Sequence, residues 1–256
     1  MDPALALIVL GAVVGGLVQG LSGFAFGLVA MAFWAWAVPP QLAGPMVVFG
    51  SLLGQLLAIH TVRRSLAVGI LAPFIIGGVL GVPLGAALLP YVDQTTFKAS
   101  VGFVLTLWSP AMLLSRQLPR VRAGGKLADA TAGLVGGVMG GLGGLTGPAP
   151  ILWCTLRGWD RDVQRAVFQS FNVTMHTLTM TIYVGLGVIG GEALRDFALI
   201  APALLIPTLV GARLYRRLNP VAFTRLVLLL LLFSGIMLLV GSVPRLLGVG
   251  AAGGQG

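Results

Sequence analysis

Gln169, Asn172, His176 and Thr179 follow one another at spacings of three, four and three inside the apolar run VFQSFNVTMHTLTMTIYV. A helix puts all four on one face. Amide, hydroxyl and imidazole groups in apolar surroundings either bond to neighbouring helices or line a polar space, where they act on a ligand mainly as hydrogen-bond donors. His176 adds a side chain that can gain a proton near neutral pH, which would help hold an anion and couple its movement to protons. Thr174, Thr177 and Thr181 of the same run read as hydrogen-bonding partners within or between helices. His60, beside Arg63 and Arg64, reads as interfacial.

Two glycine-rich stretches supply the other candidates. LVQGLSGFAFGLVAMAFW carries Gln19, Ser22, Gly23 and Phe24 amid apolar residues, and GGVMGGLGGLTGPAP carries Gly143, Gly144, Leu145 and Thr146. Each reads as a helix interrupted inside an apolar environment. An interruption there leaves backbone groups without partners, which is tolerable where it faces a cavity. The helix that restarts after it offers free N–H groups and about half a positive charge, an anion site needing no charged side chain. Close helix packing through small residues is the competing reading of single glycines such as Gly81 and Gly85.

What positions these residues is a lipid-embedded chain. Only 9% of the 256 residues are charged and 57% are hydrophobic, against roughly a quarter charged in soluble domains. Eight apolar blocks span about 4–36, 42–60, 66–90, 97–115, 129–156, 166–189, 197–215 and 221–242. The net charge of +9 sits in the short gaps between blocks, the pattern of a membrane protein rather than a nucleic-acid binder. The N-terminal apolar run has no basic start before it and reads as the first membrane segment. Cys154 is the single cysteine, so no internal disulfide forms. The acidic residues Asp2, Asp93, Asp129, Asp160, Asp162, Glu192 and Asp196 fall at block ends or in loops, so no buried carboxylate is expected and nothing favours a cation substrate. His60, His176, Cys154 and the scattered methionines lack metal-ligand spacing, no phosphate-loop motif occurs, and no cofactor is expected.

The first block is too long for one ordinary crossing: 33 helical residues reach about 50 Å. Two half-helices folded back near Ser22-Gly23-Phe24 absorb the excess. The fifth block is its copy, with Gly15 over Gly136 and Gly23 over Gly144. The register carries Ser51 onto Asn172 and Gln55 onto His176, which adds Ser51 and Gln55 to the candidate site. Further on, Gly85-Ala86 meets Gly211-Ala212, Asp93 meets Asn219 and Phe97 meets Phe223. The expected organisation is a first membrane repeat over 1–115, a basic cytoplasmic linker over 116–128, a second repeat over 129–243 and a flexible tail over 244–256. With all eight blocks crossing, the basic residues divide eight against eight. With blocks one and five entering and leaving on the same side they divide thirteen against three, leaving only Lys98, Arg195 and Arg245 on the minor side. The second arrangement obeys the positive-inside rule, inverts the halves and puts both termini outside. The fold class is thus an all-α integral membrane protein of duplicated, inverted four-segment halves, each opened by a broken, re-entrant helix.

GGLVQGLSGFAFG, GGVMGGLGGLTGPAPILW and RDVQRAVFQSFNVT, with the G-x3-G-A helix, resemble the sulfite exporter TauE/SafE family, also called toluene sulfonate uptake permeases. The resemblance covers nearly the whole chain. It departs where the family often reads GIGGG and this chain reads GLGGLTGP. It implies a bacterial inner-membrane transporter of sulfite, thiosulfate, a sulfonate or a related small anion, with the bilayer as its surroundings and no nucleic-acid partner. The combined reading is a secondary transporter, an exporter, working by alternating access around a midplane site. Two other classes remain open: a non-transporting membrane assembly partner, and an intramembrane enzyme, for which Ser22 with His176 is the one conceivable nucleophile–base pair.

Overall fold

The structure is a computed structural model that describes residues 3–58, 68–115, 117, 119–121, 123–214 and 220–247. Expectations for Asp2, His60, Arg63, Arg64, Arg116, Arg122, Arg216, Arg217, Asn219 and residues 248–256 lie outside the described residues. Among the described residues there are ten α-helices and no strand. They are α1 (Pro3–Ser22), α2 (Phe26–Ala37), α3 (Pro40–Ala58), α4 (Val68–Leu88), α5 (Gln94–Leu113), α6 (Gly125–Gly143), α7 (Pro148–Arg157), α8 (Arg161–Gly185), α9 (Gly191–Leu214) and α10 (Pro220–Leu246). α6 starts inside the stretch expected to be linker, and α10 runs past the expected boundary at 243.

Local sequence explains the boundaries. α3, α7 and α10 each begin at a proline, whose fixed φ and missing N–H suit a first turn. Asp93 caps α5 by accepting from Thr95 N at 2.8 Å and Thr96 N at 3.0 Å. Asp160 caps α8 by accepting from Asp162 N at 2.9 Å. α1 and α6 end where Gly23 and Gly144 enter the left-handed region, at φ 85° and 72°. Each of these glycines donates its N–H four residues back, to Gln19 O and to Gly140 O, both at 2.7 Å.

Both interrupted segments are helical hairpins. A Cβ placed on Gly15 of α1 would lie 3.0 Å from the Phe26 ring of α2. Farther from the bend, Trp34 Nε1 donates to Ile8 O at 3.0 Å, so α2 runs back along α1. In the second hairpin Gly136 sits under Pro150, and Trp153 Nε1 donates to Asp129 Oδ1 at 2.7 Å. The arms are unequal rather than two halves. α1 and α6, with 20 and 19 residues, extend about 30 Å, while α2 and α7, with 12 and 10, reach only about 15–18 Å.

Each hairpin is gripped by a helix distant from it in the chain. α1 packs on α9, and α6 packs on α4. The contacts are backbone to backbone: a Cβ on Gly20 would collide with Thr208 O, one on Gly141 with Val82 O, one on Gly85 with Val138 O and one on Gly211 with Leu17 O. Such close approach gives dispersion contact between helices that lipid tails cannot drive together hydrophobically. α3 packs against α8, and α5 lies against α10. Phe49 of α3 stacks on Phe197 of α9 at 4.3 Å between centroids. Among the described residues five helical stretches are long and apolar enough to cross a bilayer, in α1, α3, α4, α9 and α10. α10 displays Leu226, Leu229, Leu230, Phe233 and Val240 outward. α8 is long enough at 25 residues but carries the polar face.

Candidate functional site

The two bends converge. Gly27, in the first turn of α2, sits against Gly144 O of the second bend: a Cβ there would lie 3.5 Å from that oxygen. Between them lies a cavity of about 10 Å³ open to the centre of a water molecule, room for about one water. Phe24, Gly27 and Leu28 come from the first hairpin, Gly144 to Pro148 and Ile151 from the second, Ser51 from α3, and Asn172 and His176 from α8. Ser51, Asn172 and His176 fall near the middle of their helices.

Three polar side chains meet on the wall. Thr146 Oγ1 donates to Asn172 Oδ1 at 2.9 Å and lies 3.2 Å from His176 Nε2. A hydroxyl has one proton. With it given to Asn172, Thr146 has only lone pairs left for His176, an arrangement that fits the tautomer with its proton on Nε2. The other ring nitrogen, Nδ1, is buried without a hydrogen-bond partner among the described residues. Thr146 is held there because its methyl group fills the space beside Gly140, where a Cβ would collide with it. Trp108 Nε1 donates to Pro148 O at 3.0 Å and fixes the start of α7 from α5.

Both bends leave backbone amides free. In α2 the Phe26 amide donates to Gln19 Oε1 at 3.1 Å and the Val29 amide to Ala25 O at 3.2 Å. The Gly27 and Leu28 amides have no partner among the described residues, and both residues line the cavity. In α7 positions 148 and 150 are prolines, and the Ile151 amide already donates to Gly147 O at 3.0 Å. The Thr146, Gly147 and Ala149 amides just before and in its first turn have no partner among the described residues, and Thr146 and Gly147 line the cavity. Both bends therefore bring backbone donors to the cavity, and the second adds the Thr146 side chain.

Seven of the fourteen residues singled out from sequence line the cavity: Phe24, Ser51, Gly144, Leu145, Thr146, Asn172 and His176; Gln169 and Thr179 are buried off its wall. Gln19 and Ser22 hold the first bend together instead. Gln19 Nε2 donates to Gly23 O at 3.3 Å while its Oε1 takes the Phe26 amide. Ser22 Oγ accepts from Phe24 N at 3.4 Å and Ala25 N at 3.2 Å. Polar residues occupy this apolar helix because the bend's own backbone needs them. Ser22 and His176 thus bond to different groups. Gly23, Gln55 and Gly143 are off the cavity wall, although Gln55 is buried and neither end of its amide has a partner among the described residues. Gly27, Leu28, Gly147, Pro148 and Ile151 line the wall without having been singled out. Their positions directly after each bend were the available signal.

One expectation is corrected. Asp129 is buried, at 4% exposure. It sits in the first turns of α6, where Trp153 donates to it and Arg157 Nε lies 3.7 Å away, so the buried charge is partnered and away from the cavity.

A family model described as "Sulfite exporter TauE/SafE" matches residues 7–238. The chain belongs to the sulfite exporter TauE/SafE family. The match takes in both bends and every cavity-lining residue. No curated protein and no solved structure matches the chain. TauE/SafE proteins are membrane transporters of sulfur anions, not enzymes. The apolar helices agree with a multi-pass membrane protein.

Proposed function

We propose that this TauE/SafE chain exports a small sulfur oxyanion (sulfite, thiosulfate or a sulfonate) by alternating access, with the cavity between the two bends as its binding site. The observation that carries the reading is the pair of unpartnered amides, Gly27 and Leu28, opening at a helix N-terminus onto a wall that also bears Ser51, Thr146, Asn172 and His176. Oriented amides and neutral donors bind an anion without a charged side chain to desolvate. Asn172 Nδ2 and Ser51 Oγ, neither bonded among the described residues, complete the donor set. With room for about one water the cavity is too small for an oxyanion of four or more heavy atoms, which enters only when the walls part. The hairpins moving against α3 and α8 would part them.

The halves in this account are inverted repeats. Supporting this, the contact of Gly20 with Thr208 O recurs as Gly141 with Val82 O, and that of Gly211 with Leu17 O recurs as Gly85 with Val138 O. Termini outside a bacterial inner membrane fit the division of basic residues. They also fit Lys98, one of the three minor-side cations, lying 5.3 Å over Trp36 at the open end of the first hairpin. In this reading protons would couple to export through His176, whose Nδ1 has no partner among the described residues.

Purified protein in proteoliposomes tests the function. Labelled sulfite, thiosulfate or sulfonate is expected to move, and Asn172→Leu and His176→Leu to abolish the flux while the protein remains inserted and folded. Flux unchanged in both variants would reject the site. No flux from the purified chain, together with salt-resistant co-purification with one partner, would favour the assembly-partner reading.

A further inference from the structure

The first bend faces a second polar feature outside the cavity. Arg165 and Gln169 lie one turn apart on α8, on the face that continues to Asn172 and His176. A Cβ placed on Gly23 would lie 3.3 Å from Gln169 Nε2 and 3.4 Å from Arg165 Nη2, so both side-chain heads rest against the bend. Gln169 is 9% exposed, and neither end of its amide has a hydrogen-bond partner among the described residues. Arg165 is exposed, and no carboxylate pairs with it among the described residues. Phe24, next to Gly23, lines the cavity and packs edge-on against Phe168 at 5.0 Å, beside Gln169. An unspent cation at the surface, a buried amide with nothing to bond and a polar face leading inward lie in sequence over about 16 Å of one helix.

We propose that Arg165 and Gln169 form an outer anion subsite at the mouth of the pathway, where a small oxyanion is captured before it reaches the cavity. Arg165 supplies the long-range attraction and a fork that matches two oxyanion oxygens. The Gln169 amide donates to a third oxygen once the anion is inside. Gly23 leaves the space: its φ of 85° excludes a side chain, and a methyl group would crowd both heads. This rests on the transport reading above, which supplies the ligand class.

The test uses thiol chemistry and needs no transport. Cys154 is fully buried, so the unmodified chain serves as the unlabelled control. The Gln169→Cys variant in lipid nanodiscs is exposed to anionic and cationic methanethiosulfonate reagents. The anionic reagent is expected to react faster, added methanesulfonate to slow it, and Arg165→Gln to reduce the anionic-to-cationic rate ratio about tenfold, with Arg165→Lys keeping most of it. A Gln169→Cys variant whose introduced thiol reacts with neither reagent, or a ratio indifferent to Arg165→Gln, would overturn the subsite. Arg165→Gln alone gives a second readout on an exposed position that does not threaten folding. KM for anion flux at low salt is expected to rise about tenfold with kcat little changed, and an unchanged KM would also overturn it. Absent flux in the unmodified chain with charge-selective labelling intact would instead count against the transport reading alone.

Discussion

Thr146→Val isolates the hydroxyl that joins the second bend to α8. Valine keeps the shape and the methyl group packed beside Gly140, so the change is chemical rather than steric. It removes the 2.9 Å bond to Asn172 Oδ1 and the 3.2 Å contact with His176 Nε2. At the roughly 0.6 kcal/mol average for bonds between membrane helices, the loss is about 1 kcal/mol. If the released amide oxygen and ring nitrogen stay dry, it rises to about 3 kcal/mol. Both groups also lose the partner that sets their orientation. Transport is therefore expected to fall further than stability, by at least about tenfold, since misplaced donors meet the anion poorly. Thermal unfolding in detergent reads the first effect and proteoliposome flux the second, with Thr146→Ser as the control that keeps the hydroxyl. A valine variant matching the parent in both, or a serine variant as impaired as valine, would refute the reasoning.

Gly144→Ala is expected to destabilise the protein by about 1–2 kcal/mol from its left-handed backbone alone, and by more because its Cβ would meet Val47 Cβ and Val48 N at 3.0 and 3.1 Å. Gly23→Ala meets only side-chain ends, at 3.3 and 3.4 Å, so its melting point should fall less; the opposite order would contradict the packing described for the two bends. At the cap of α5, the Thr96 hydroxyl and the Thr96 and Thr95 amides hold the Asp93 carboxyl below its ordinary pKa. A depressed carboxylate pKa contributes stability above the unfolded value and loses it as pH falls through the ordinary carboxylate range to the lowered one. Asp93→Ala should therefore lower the melting point at pH 7, with the gap to the parent closing in acid. A gap that persists unchanged at low pH would point away from the ionised cap.

The sequence located both bends because Gly23 and Gly144 end their helices by backbone conformation, which only local residue choice controls. It also placed Asn172 and His176 together, because three- and four-residue spacings fix a helical face. What it did not show was how the face is used. Gln19 and Ser22 looked like substrate donors, yet they serve the backbone of their own bend, and spacing does not reveal which acceptor a side chain reaches. The sequence aligned Gln55 with His176, but only His176 reaches the wall, where it meets Thr146. The donors of Gly27 and Leu28 were invisible as residues, since an amide's availability depends on which carbonyls lie one turn before it. Asp129 looked peripheral at the end of its block; Trp153 and Arg157, brought back by the hairpin, bury it.

The most direct measurement is an anomalous-scattering crystal structure of the protein in lipid with selenite, a heavy analogue of sulfite. The account predicts one selenium peak between the bends, with anion oxygens about 2.7–3.2 Å from the Gly27 or Leu28 amides and from Asn172 Nδ2, and a cavity wider than the present 10 Å³. A preparation that transports selenite but shows no peak there, or shows residues 17–34 and 136–150 as continuous helices with no polar space between them, would contradict it.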